Sequence, residues 1–292
     1  MLRTYAAGLV AGAMLCAAAA WAGGEGKAAK PSGRELFAPG NLVAWCIVPF
    51  DAKMRGPEER AEMMQRLGIK HFAYDWRAEH IPTFDQELDA LQKRGISLDA
   101  FWFPSSLEPE KDPQVKTILD FLRRRGVKTQ LWVSLGLKDE GTQEERVETA
   151  ARPIRWIAEE AAKIGCSVGL YNHGGWFGEP ENQIAIIERV KLPNVGVVYN
   201  FHHGHEQLDR FPELFAKMKP HLLALNINGM RKGGPKILGV GKGDRELEML
   251  RRVAGSDYQG LIGILGHREE LDAEVALREN LEGLQSLRKQ LP

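Results

Sequence analysis

Short, almost wholly apolar runs alternate along this chain with longer stretches in which apolar residues return every third or fourth position. Val195 to Tyr199 (Val-Gly-Val-Val-Tyr) and Leu222 to Leu225 (Leu-Leu-Ala-Leu) represent the short runs. Runs without polar alternation suit strands buried on both faces, as in a parallel sheet, and the longer period suits helices that cover such a sheet. The pattern predicts strands at Leu42 to Val48, Lys70 to Tyr74, Leu98 to Phe103, Lys128 to Ser134, Val168 to Tyr171, Val195 to Tyr199, His221 to Ile227 and Gly260 to Leu265. It predicts helices at Pro57 to Leu67, Phe84 to Lys93, Pro113 to Arg125, Glu144 to Ile164, Asn182 to Val190, Gln207 to Met218, Asp244 to Val253 and Asp272 to Lys289. Pro57 and Pro113 sit in first turns, where a missing N–H costs nothing, and Gly95, Gly126 and Gly165 stand where helices stop. Pro104 reads as the loop after the third strand.

Eight strand-helix units in about 250 residues predict a single α/β domain, a closed (β/α)₈ barrel. An open doubly wound sheet would tend to carry a glycine fingerprint after its first strand, where Pro49-Phe50-Asp51 stands instead. The barrel is expected over residues 39–292. Ahead of it, Arg3 and the apolar stretch from Tyr5 to Ala20, ending in Ala20-Trp21-Ala22, read as a secretory signal over 1–22, with a flexible lead-in over 23–38. A periplasmic or secreted protein without stable membrane insertion follows from that reading. Lysine plus arginine (39) balance aspartate plus glutamate (39) with no basic stripe, so no nucleic-acid partner is expected. Beyond the signal only Cys46 and Cys166 remain, both expected as buried free thiols.

Six of the eight histidines, namely His80, His173, His202, His203, His205 and His267, fall just after predicted strands. Side chains there converge on the face of a barrel where ligands bind. The same strand ends carry Asp51, Asp75, Trp76, Arg77, Trp102, Ser134, Tyr171, Asn172, Trp176, Asn200, Asn226 and Asn228, with Glu179 close behind. Aromatic faces that stack on C–H patches, mixed with groups that hydrogen-bond hydroxyls, point to a small-molecule carbohydrate. Asp75 and Arg77 read equally as an ion pair bracing the barrel mouth. The basic loop Arg231-Lys232-Gly233-Gly234 reads as a solvated loop or as an anion site.

Val168-Gly-Leu-Tyr-Asn-His-Gly-Gly175, Pro193-Asn-Val-Gly-Val-Val-Tyr-Asn-Phe-His-His203 and the segment from Gly239 to Ile262 carry a resemblance that spans Leu42 to Gln290. The chain resembles the xylose isomerase-like TIM barrels, the sugar phosphate isomerase/epimerase superfamily that also contains endonuclease IV-type enzymes. The resemblance implies a divalent metal held by Glu, Asp, His and Glu at the ends of strands five to eight. This chain has Tyr171, Asn200, Asn226 and Leu265 there, so the usual ligands are absent. His203 matches a substrate-contacting histidine of the family.

Three readings of the histidines stay open. His173, His203 and His267 hold one divalent transition metal, with Glu179 or Asp75; or they work metal-free as general acid/base groups; or they cap helices and bridge loops. The leading expectation is an exported sugar isomerase or epimerase-like enzyme, with His203, His173 and His267 catalytic. Asp75, Arg77, Trp102, Tyr171, Asn172, Trp176, Glu179, Asn200, His202, His205, Asn226 and Asn228 then bind substrate. A non-catalytic carbohydrate-binding barrel and a metal-dependent hydrolase or lyase are the alternatives. The sugar and the oligomeric state are not readable from the residues.

Overall fold

A computed structural model describes residues 31–138 and 140–292; the expected signal over 1–22 lies outside them. The strands are β1 (Leu42–Trp45), β2 (His71–Tyr74), β3 (Ser97–Ser105), β4 (Gln130–Leu135), β5 (Ser167–Tyr171), β6 (Val195–Asn200), β7 (Leu222–Ile227) and β8 (Leu261–Leu265). Each is followed by a helix: α1 (Pro57–Arg66), α2 (Phe84–Lys93), α3 (Pro113–Arg125), α4 (Gln143–Lys163), α5 (Pro180–Val190), α6 (Phe211–Met218), α7 (Glu246–Ala254) and α8 (Ala273–Arg288). All neighbouring strands are parallel, and β8 pairs with β1, so the sheet closes into the expected (β/α)₈ barrel. No helix of the described residues is long and apolar enough to cross a membrane.

Two apolar layers hold the barrel. The outer layer packs the helices against the strands. The inner layer fills the barrel itself with Val43, Trp45, Ala73, Ala100, Trp132, Tyr171, Val198, Ala224 and Leu265. Trp45 meets Trp132 edge-on with centroids 4.8 Å apart, and Trp132 stacks at 9° on Tyr171. Three large rings fit because the facing positions are small. A methyl at Gly169 would lie 2.4 Å from Val198, and one at Gly263 only 1.9 Å from Asn226 Oδ1. Side-chain volume is thus traded across the interior, as close packing requires.

Several boundaries differ from the sequence reading. β1 ends at Trp45, because Cys46 adopts a left-handed backbone (φ 56°) that no strand continues through. Pro104 lies inside β3, opposite Ser134 of β4; on its other side β2 has already ended at Tyr74, so the absent N–H breaks no ladder. The helix expected from Gln207 starts at Phe211, after a 3₁₀ turn over His205–Arg210. The segment 33–38, expected within the flexible lead-in, begins the fold. Gly33–Phe37 form a 3₁₀ turn, Leu36 and Phe37 are buried, and the Arg34 amide donates to the Pro292 carbonyl.

Asp51, expected at the mouth, is a brace instead. Its carboxylate takes Arg55 at 2.8 Å and the Ala273 amide at 3.0 Å, tying the β1–α1 loop to the start of α8.

The packing makes a prediction. Gly263→Ala is expected to destabilise the chain by about 3 kcal/mol, in the range of overpacked cores. Adding Asn226→Ala should recover much of that loss. Urea unfolding followed by tryptophan fluorescence checks both, and an unchanged midpoint for the single variant contradicts the packing described.

Candidate active site

At the C-terminal end of the barrel the strand ends surround a cavity of about 220 Å³. β1 and its loop supply Trp45, Cys46 and Phe50; β2 and β3 supply Asp75, Arg77 and Trp102; β5, β6 and β8 supply Tyr171, His173, His202, His203 and His267. Four of the six strand-end histidines therefore meet in one place, as do Asp75, Arg77, Trp102 and Tyr171. The rings of His173 and His203 lie 4.6 Å apart, those of His202 and His203 3.7 Å, and those of His202 and His267 5.4 Å. Adjacent His202 and His203 thus face the same cavity. β6 has ended at Asn200, and the turn that follows is not bound by strand alternation.

The floor rests on Tyr171. Its hydroxyl accepts from Trp45 Nε1 at 3.2 Å and from Asn200 Nδ2 at 2.6 Å. With the Asn200 amide so turned, its Oδ1 accepts the His202 backbone N–H at 3.3 Å and lies 3.0 Å from His202 Nδ1. A carbonyl oxygen only accepts, so Nδ1 of His202 carries the proton and Nε2 keeps its lone pair. Burial, reinforced by neighbouring imidazoles, holds His202 down to about 2 and His203 to about 3. Burial followed by the Arg77 charge lowers His173, and burial lowers His267. All four are neutral bases at physiological pH.

Asp75 is the unusual member. It is only 2% exposed, and among the described residues no hydrogen bond of ordinary geometry reaches either carboxylate oxygen. Burial pushes its pKa up to about 7; the Arg77 charge and nearby backbone amides pull the other way without cancelling it. The expected Asp75–Arg77 brace is not formed. Arg77 Nη1 donates instead to the backbone carbonyls of Asp75 (2.8 Å) and Trp76 (2.9 Å), and the guanidinium lies over Trp102 at 4.6 Å and Phe50 at 5.6 Å.

Other expected site residues lie elsewhere. Asn172 is buried, and its amide is spent on the backbone of Asn200, donating to the carbonyl at 3.1 Å and accepting the N–H at 2.7 Å. Asn228 donates to the carbonyls of Gly229 and Lys236, holding the loop after β7. Both ring nitrogens of His205 have protein partners, Glu206 and the Arg231 carbonyl. Glu179 accepts from Gln207 at 2.6 Å. Trp76 is core, with its indole N–H on the Trp102 carbonyl. Trp176 lines an adjoining groove of about 410 Å³ with Ser105, Ser134 and His173. Asn226 is wholly buried inside the barrel with its amide unpartnered. In the basic loop, Lys232 pairs with Asp209, and its backbone N–H donates to Asp244.

Cys46 and Phe50 were not anticipated in the cavity. Cys46 reads in sequence as one more apolar strand position, and only its left-handed backbone turns it to the mouth. Burial first, then Asp75, pushes its thiol well up, so it stays protonated. Phe50 stacks on His267 with centroids 3.6 Å apart.

The model of the xylose isomerase-like TIM barrel family matches residues 57–287. No curated protein matches the sequence. Among solved structures, the IOLI protein with a bound zinc atom is similar at 15% identity and TM-score 0.64, over 85% of this chain and 98% of that one. D-psicose 3-epimerase with D-tagatose from Clostridium cellulolyticum shows 14% identity and TM-score 0.61, over 86% and 99%. The 3-keto-D-glucoside 4-epimerase YcjR from E. coli shows 14% identity and TM-score 0.62, also over 86% and 99%.

The residues present do not fit the family's metal. Tyr171 and Asn200 are committed to each other, Leu265 has no donor atom, and Asn226 offers only a neutral amide. Nor do His173, His203 and His267 replace them: no three His, Cys, Asp or Glu among the described residues converge to hold an ion.

Asp75 carries a stability prediction. In the folded chain its pKa is about 7 against an ordinary 3.8, so folding takes up a proton between those values and stability falls as pH rises through them. The lowered imidazoles act in the opposite sense, costing stability as pH drops below 6.5. Asp75→Asn removes only the first effect. It is expected to be more stable than the parent at pH 8, on the order of 2 kcal/mol, and equal to it at pH 4. Urea unfolding at both pH values decides; equal stability at pH 8 refutes the buried, unpartnered carboxylate.

Proposed function

Since the chain belongs to the xylose isomerase-like TIM barrel family, we propose that it is an enzyme that binds a small carbohydrate in this cavity and moves a proton at the carbon next to a carbonyl. The observation that carries the reading is Asp75, a buried carboxyl that no side chain of the described residues pairs, poised near neutrality beside neutral imidazoles. A structural carboxylate is normally paired, whereas a general base works best with a pKa near the working pH. Two of the similar solved structures are named as sugar epimerases, which agrees with this chemistry.

In this reading the sugar occupies the cavity beside Trp102 and the rings of His173 and His203. The Asp75 carboxylate takes the proton from the carbon, and the C–H electron pair moves toward the carbonyl, leaving an enolate oxygen. The N–H groups of His203 and His173 stabilise that oxygen. Return of the proton from Asp75 to the old carbonyl carbon, with an imidazole moving the hydroxyl proton from the neighbouring oxygen to the enolate oxygen, isomerises the sugar; delivery of a proton by a histidine N–H to the opposite face of the first carbon, the histidine and Asp75 re-equilibrating through water, epimerises it. Loss of a hydroxyl from the next carbon, leaving as water with the proton that Asp75 has taken, re-forms the carbonyl and gives elimination. The protein supplies every one of these groups itself, and no step needs a metal. Export belongs to the same proposal: residues 1–22 act as a secretory signal, and the mature chain begins at Gly23, which the intact mass of the exported protein tests.

Deuterium exchange tests the chemistry. Incubated in D₂O with a panel of aldoses and ketoses, the enzyme should introduce deuterium next to the carbonyl of its substrate, with a rate rising through about pH 7 as Asp75 ionises. Asp75→Asn and His203→Ala should each slow exchange by about 10²- to 10⁴-fold while the fold is kept. Sugar binding without exchange would make the chain an accessory binding barrel; exchange indifferent to Asp75→Asn would move the base elsewhere.

A further inference from the structure

The charges around the cavity say more about the substrate, on the premise that the proposed function holds. Arg77 is the permanent cation of the cavity wall, and among the described residues no carboxylate lies within ion-pairing distance of it. Two aromatic faces and two backbone carbonyls fix its position through the guanidinium plane and through Nη1. Its Nε–Nη2 edge makes no hydrogen bond to the described residues. That edge is the one a planar carboxylate, or two oxygens of a phosphate, engages with two parallel hydrogen bonds.

No carboxylate of the described residues forms an ion pair with that guanidinium. The four imidazoles are neutral, the Cys46 thiol is protonated, and burial opposes ionisation of Asp75. Nearby acids are engaged or outside: Glu206 is bonded to His205 and lies 3.8 Å from Lys236, and Glu269 is exposed beyond His267. A preorganised guanidinium with an unbonded edge in a partly dehydrated cavity is a binding site for an anion.

We propose that the cavity is built for an anionic sugar, one carrying a carboxylate or a phosphate that docks on the Nε–Nη2 edge of Arg77. The sugar ring then occupies the cavity between Trp102 and the rings of His173 and His203, with Asp75 in the same lining. Carboxylate and phosphate share this chemistry.

Calorimetric titration of the full chain with D-galacturonate, D-glucuronate, D-glucose 6-phosphate, D-galactose and D-glucose tests the proposal. An acid sugar or the phosphate should bind about tenfold or more tighter than its neutral counterpart, the gain expected of a charge-assisted bond. Tighter uronates assign a carboxylate, and a tighter hexose phosphate assigns a phosphate. Arg77→Met should erase the preference, and Arg77→Lys, which keeps the charge but not the fork, should retain part of it. Where the loss of the aromatic clamp lowers the melting temperature of the Met variant, the Lys variant decides. Neutral sugars binding as tightly as charged ones, or a preference indifferent to both variants, overturns this inference and leaves the proposed function standing. Binding of no sugar at all overturns both.

Discussion

A closed barrel has to fill its own interior, and here that constraint reaches up into the chemistry. Trp45, Trp132 and Tyr171 occupy the space left by the glycines and alanines opposite them. The hydroxyl of Tyr171 is the polar end of that aromatic stack, and a buried hydroxyl must find partners. It finds the Trp45 indole and the Asn200 amide. Once Asn200 is turned toward Tyr171, its oxygen faces His202, and the proton of that ring is placed on Nδ1. One packing solution thus fixes a tautomer two residues beyond the end of β6. The same solution takes up two of the four positions where the resemblance implies metal ligands. Tyr171 and Asn200 stand at two of those positions and satisfy each other, so neither is available to an ion.

Much of the architecture was legible because a parallel barrel writes itself as repeated apolar runs. Each strand is buried on both faces, each helix on one, and Gly126 and Pro113 punctuate a helix where backbone chemistry requires it. Two of the misread boundaries depend on partners distant in sequence. Pro104 is tolerated in β3 because β2 stops short, and Leu36 and Phe37 are ordered by burial against the barrel. In the site, convergence of His173, His202, His203 and His267 followed from their place after strands. The role of each was not legible. Asn172 and Asn228 have the composition of sugar-binding amides, yet backbone groups that must be paired on burial claim them first. Cys46 was hidden for the opposite reason: an apolar residue in an apolar run gives no sign that its backbone turns left-handed.

The cavity's electrostatics follow from dehydration more than from any single pair. Burial disfavours every charge, so imidazoles lose protons and the Asp75 carboxyl keeps one, and the two kinds of group become neutral over the same pH range. Neutral imidazoles beside a half-ionised carboxyl form a set that can pass a proton in either direction with little change in total charge. Pairing Asp75 with Arg77 would have removed that property, since a salt-bridged carboxylate is a weak base. The structure avoids the pairing by spending Nη1 on backbone carbonyls and the guanidinium faces on aromatic rings.

Arg77 nonetheless acts on Asp75 at a distance, its charge favouring the ionised carboxyl. That links recognition to catalysis. An anion seated on the guanidinium cancels the field that helps Asp75 ionise, so a charged substrate strengthens Asp75 as a base while reducing the fraction already deprotonated. The balance is favourable when the substrate's charge lies on the far edge of the guanidinium, away from the carboxyl, because attraction is then strong at short range and repulsion of Asp75 is weak. Engaging Nη1 with the Asp75 and Trp76 carbonyls leaves that far edge, Nε and Nη2, as the place for the anion.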